Sequence, residues 1–188
     1  MIRGLPRHLS RFGWLLLLYL LSMVTASAQL PGSARESAVK AAFLYKFAGF
    51  VEWPAGTFQR PDEPLVIGVA GNEAVAADLE QIVVGRRVEG RPISVRRLQA
   101  DEPAAPLHVL LIGAGPDERV REQAAEAMGP VLVVTEQPRG LELGGVLNLV
   151  AGGGRVRFAA SLPAAEARGL KLSARLLAVA ETVEGRNR

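Results

Sequence analysis

The sequence predicts an α/β protein: a three-layer α/β/α domain with a mostly parallel sheet and a C-terminal antiparallel β-hairpin. The segment PLVIGVAGNEAVAADLEQIVVG passes from a short β-branched run through a glycine turn into an amphipathic helical pattern, and LHVLLIGAGPDERVREQAAEAMG repeats that order. Their strands are almost continuously apolar, as strands covered on both faces are. The end of the chain differs, because VLNLVAGGGRVRFAASL alternates on both sides of Gly152-Gly153-Gly154 and reads as a hairpin at a sheet edge.

The elements follow in order. In SARESAVKAAFLYKFAGFVEWP, Val39, Phe43, Phe47 and Phe50 recur at helical spacing, which predicts an amphipathic helix with those four side chains in the core. Ser33 or Ser37 can cap its start, and Pro54 holds Trp53 extended, so the helix should end near Phe50 to Glu52. Tyr45 should then point away from the core, and Trp53 can reach either core or surface. Next come a strand near Leu65, a helix from about Glu73 to Val84, and strands over 91–98, 107–112 and 130–136. Pro116 sits where a first helical turn begins. After the hairpin, PAAEARGLKLSARLLAVAETVEG closes the chain with a helix that sets Leu172, Leu176, Val179 and Ala180 on one face.

At the other end, Arg3, Arg7 and Arg11 precede an apolar run from Gly13 to Val24 and the small triplet Ala26-Ser27-Ala28. This layout predicts a signal peptide over residues 1–28, cleaved after Ala28, and a single exported domain over residues 29–188. The run is short of the roughly 20 residues needed to cross hydrocarbon, which argues against the alternative of an uncleaved anchor. Without those three arginines, the remaining basic residues equal the 19 acidic ones, so the charge balance offers nothing to nucleic acid. Cysteine is absent, so no disulfide can form even in an oxidising compartment.

The inventory for catalysis is thin. Beyond the N-terminal segment His108 is the one histidine, set in an apolar strand, and no serine lies in a G-x-S-x-G turn. His108 is expected to be a buried strand residue hydrogen-bonded to a neighbour. Asp62-Glu63 and Asp101-Glu102 lie beside prolines and read as solvated turns, so no metal site is expected. GVAGNE and GAGPDE join strands to helices and can either hold an anion or cap a helix through Asn72 and Asp117. Arg86, Arg87, Arg91, Arg96 and Arg97 lack the interleaved aromatics of a nucleic-acid surface. Arg155 and Arg157 share one face of a hairpin strand and form either a fork for a small anion or a salt-bridged edge.

AAFLYKFAGFVEWP, the Gly144–Leu149 segment GGVLNL and the ending GRVRFAASLPAAEARGLKLSARLLAVA together resemble the YfiR family of periplasmic regulators, over about Val39 to Ala180. The resemblance implies an α/β/α periplasmic domain, often a homodimer and not an enzyme, that represses a membrane diguanylate cyclase by binding its periplasmic portion. Cyclic di-GMP and exopolysaccharide or biofilm output would fall as a result. Carried over by position, Tyr45, Trp53, Leu170 and Arg175 are expected to meet the partner, and Arg155 and Arg157 a small anionic ligand. Another membrane sensor as partner, or a small-molecule sensor without one, are the alternatives. The chain departs from many members by having Ala160 and Ser161 where an asparagine occurs and by lacking cysteines, so redox control through a disulfide is excluded.

Overall fold

The computed structural model describes residues 32–99 and 106–186 of the chain. The expected signal peptide, its cleavage site and the Asp101-Glu102 turn lie outside those residues. Among the described residues no helix is long and apolar enough to cross a membrane.

Helix α1 (Gly32–Ala48) leads into β1 (Val51–Glu52), β2 (Leu65–Ala70) and α2 (Glu73–Ile82). Then follow β3 (Arg87–Val88), β4 (Arg91–Leu98), β5 (Val109–Ile112), α3 (Asp117–Glu126) and β6 (Leu132–Thr135). The remainder is β7 (Leu147–Gly152), β8 (Arg155–Ser161), α4 (Leu162–Ala167), β9 (Lys171–Leu172), α5 (Ala174–Val179) and β10 (Thr182–Glu184). The main sheet has the order β10-β8-β7-β6-β5-β2-β4-β3, parallel from β4 to β7, so the α/β class and the mostly parallel sheet hold.

Strand alternation divides the core between the two faces. Leu65, Ile67, Val109, Leu111, Leu132 and Val134 are buried on the face that also takes Leu44 and Phe47 of α1 and Val75 and Leu79 of α2. Leu110, Ile112 and Val133 form a smaller cluster with Val120 and Ala124 of α3. The hairpin joins the larger core: Phe158 of β8 meets Phe47 edge-on, ring centroids 4.9 Å apart, and Phe43 at 5.8 Å.

Four expectations are corrected. The buried stripe of α1 runs through Ala41, Leu44, Phe47 and Ala48, while Val39 is 38% exposed and Phe43 and Phe50 are only partly buried. The seam between α1, α2 and the sheet is narrow, and Ala41, Ala48 and Ala76 fill it because larger side chains cannot. Helix α1 also stops at Ala48, two residues early, through a turn in which the Phe50 amide donates to the Phe47 carbonyl. The hairpin is antiparallel as expected but not at the edge, since β10 pairs in parallel with β8 and covers it.

The closing helix is in fact two short helices. Gly169, at φ +69°, follows the end of α4, and β9 then pairs with β1 in the register Val51↔Leu172 and Glu52↔Lys171. Ser173 begins α5 as its N-cap, accepting from the Leu176 amide at 3.2 Å. Leu172 therefore sits in a strand, and Val179 is 71% exposed.

Candidate functional site

The β1–β9 ladder joins the two segments that carry the family pattern. The Ser173 amide donates to the Phe50 carbonyl at 3.0 Å, and Gly169 approaches the Pro54 ring. Arg175 is exposed on α5, with Val179 one helical turn further on. Leu170 is 2% exposed and belongs to the core, so its side chain offers no surface to a partner. Its amide donates to the Ala165 carbonyl at 2.9 Å, which folds it back against α4 within the larger core.

Tyr45 does not face away from the core as expected. It is half-buried against the larger cluster, and the Arg86 guanidinium, in the turn after α2, lies 5.2 Å from its ring centre. Trp53 is also half-buried, packing edge-on against Phe58 and His108 at 6.1 and 6.5 Å between centroids. Its Nε1–H is buried without an acceptor among the described residues.

His108 is buried before β5, as the sequence predicts. Its Nδ1 accepts the Val66 amide at 3.0 Å, which places the proton of the neutral ring on Nε2. Phe58 stacks on the imidazole at 4.4 Å and 8°, and the Arg91 guanidinium lies 3.9 Å from the Phe58 centre. Two groups at such distances cannot share one face, so Phe58 is sandwiched between arginine and histidine. Arg91 also donates to the carbonyls of Arg60 and Glu63 at 2.6 and 3.3 Å, which fixes the loop carrying Phe58. Burial lowers the His108 pKa; Glu63 opposes this and Arg91 reinforces it. The sequence assigns neither Phe58 nor Arg91 to His108, because their meeting depends on the sheet register.

At the carboxyl ends of the strands lies a second polar group. Chain connections run from β2 to β4 on one side and from β5 to β6 on the other, the switch point where open α/β sheets usually take ligands. Here the two turns touch. The Gly113 amide donates to the Ala70 carbonyl at 2.7 Å, and a Cβ on Gly113 would fall 2.5 Å from the Gly71 oxygen.

Asn72 caps α2 by accepting the Val75 amide, and donates to Glu136 Oε1 at 2.7 Å. Lys40 Nζ lies 2.9 Å from Glu136 Oε2 and 2.7 Å from Glu36 Oε1, with the Glu136 side chain 3% exposed. Asp117 does not cap α3: it accepts from Gln137 Nε2 at 2.9 Å, while Gln137 Oε1 takes the Gly115 amide. Those donors are thus engaged within the protein, which leaves the anion reading of the two glycine turns without free N–H groups at Val75 and Gly115.

The hairpin arginines are both exposed. Arg157 is paired with Glu181, the residue before β10, so one arm of the expected fork is held in the salt-bridged arrangement. The remaining arginines are dispersed: Arg97 bridges Glu73 and Glu80 at 2.8 and 2.7 Å, and Arg87 donates to the Gly90 carbonyl at 2.7 Å. Among the described residues no group of three His, Asp or Glu side chains is placed to hold a metal ion.

A family model described as YfiR/HmsC-like matches residues 37–181, most of the chain. No curated protein matches it.

Proposed function

Because the chain belongs to the YfiR/HmsC-like family, we propose that it is an exported regulator that binds the periplasmic portion of a membrane diguanylate cyclase and represses it. The family supports a periplasmic, non-catalytic regulator of such signalling in general terms. The finer reading is a homodimer delivered by a cleaved signal peptide that lowers cyclic di-GMP and, through it, exopolysaccharide and biofilm output.

The observation that carries the reading is the β1–β9 ladder. It brings the Trp53-Pro54 exit and the Leu170–Leu177 segment together, more than a hundred residues apart in sequence, and leaves Arg175 and Val179 exposed beside them. An exposed valine beside a cation suits an anchor with a polar rim. In this reading the half-buried Tyr45 and Trp53 are further partner contacts, with Leu170 in the core behind them.

The purified protein should bind the periplasmic domain of a membrane diguanylate cyclase of the same cell in a titration. The double variant Arg175→Glu, Val179→Asp should weaken binding at least about tenfold, as loss of roughly 1.4 kcal/mol does, with thermal unfolding unchanged. Native protein that binds none of the cell's membrane cyclases would overturn the reading.

A further inference from the structure

On the second face of the sheet α3 packs on the smaller core cluster, and beside that helix lies a cavity of about 860 Å³. Its apolar wall is built from Ala70, Leu98, Leu107, Leu110 and Val131. Gly68 lets that wall close: a Cβ there would stand 2.8 Å from Leu98 Cδ1 and 3.0 Å from Leu107 Cδ2. The volume falls within the range of about 300 to 1,000 Å³ occupied by small-molecule sites.

We propose that this cavity binds an uncharged, largely apolar small molecule bearing a carbonyl-type acceptor, which takes a hydrogen bond from His108 Nε2–H. His108 lines the cavity and is 3% exposed. Its Nδ1 is occupied by the Val66 amide, so Nε2–H is the ring donor left for a ligand. Behind it, Trp53 Nε1–H is a buried donor without an acceptor among the described residues, edge-on to the His108 ring. A ring N–H at the wall of an apolar cavity gains from a ligand that brings it an oxygen. The rim sets Arg119 against Glu122 and Glu126, so it has no excess positive charge to draw an anion.

This site is separate from Arg155 and Arg157 and does not depend on the regulator reading. It is tested by calorimetric titration of the purified protein with 2-acetylnaphthalene, 2-ethylnaphthalene and 2-naphthoate. The ketone should bind one to one, about fivefold more tightly than the ethyl compound, the effect of one net hydrogen bond, and the carboxylate should bind more weakly than the ketone. His108→Leu should erase the preference for the ketone. Leu107→Trp, at a half-buried wall position, should remove binding of both with the circular dichroism spectrum unchanged. Absence of saturable ketone binding, or equal binding of the ketone and ethyl compounds by native protein, would overturn the proposal. So would undiminished binding by a folded Leu107→Trp protein. If His108→Leu does not fold, the native ligand comparison and Leu107→Trp decide the matter.

Discussion

His108 shows how one residue type acquires its properties from what surrounds it. Its burial favours the neutral ring and Arg91 adds to this against Glu63, so its pKa lies below the ordinary 6.5. The unfolded chain takes up a proton near that value and the folded chain only at lower pH. More protons are bound by the unfolded state in between, so this contribution to stability is full above 6.5 and is lost as pH falls towards the folded pKa. Urea unfolding at a series of pH values between neutrality and mild acid should show the midpoint falling below pH 6.5, and His108→Gln, which keeps an acceptor for Val66, should flatten that slope. An unchanged slope would mean that other groups set the acid response. The sequence suffices to place His108 inside a strand region; its stacking on Phe58 and the tautomer come from the β2–β5 pairing.

At the scale of an element, α1 separates period from phase. Its 3.6-residue apolar pattern is legible, but Ala, Leu and Phe side chains at 41, 44, 47 and 48 face the core where the aromatic spacing points to Val39 and Phe43. Side-chain size misleads there because the closest approach between packed helices favours the smallest residues. Val39→Ser should therefore change stability by less than about 0.5 kcal/mol, as at other surface positions. Ala48→Leu should cost about 1 to 3 kcal/mol by overpacking the seam with α2. Chemical denaturation of both variants checks the assignment, and the reverse ranking would restore the other face. The C-terminal segment fails differently, since its helical pattern is interrupted at Gly169 and the intervening pair Lys171-Leu172 is claimed by β1, a partner far away in sequence.

For the whole molecule, the tie that joins the layers at the carboxyl end of the sheet is Lys40–Glu136, between α1 and the residue after β6. Burial lowers the Lys40 pKa, but hydrogen bonds from its ammonium to Glu36 and Glu136 outweigh that and leave the value raised. Glu136→Ala should destabilise the protein by about 3 kcal/mol, because a buried ammonium keeps only its more exposed partner Glu36. Lys40→Met with Glu136→Gln, which preserves an acceptor for Asn72, should return to within about 1 kcal/mol of the native protein. Equal losses in both would show that the pair is not acting as a unit.

The chain by itself determined the class, the mostly parallel sheet, the presence of the hairpin and the family, because these rest on hydrophobic period, turn residues and local motifs within short windows. Tertiary structure alone decided the phase of α1, the burial of Leu170, the β10 cover on β8, the β1–β9 ladder and the cavity beside His108. Each of these depends on which distant segments come into register, and pairing free energy across long loops leaves no local periodicity to read.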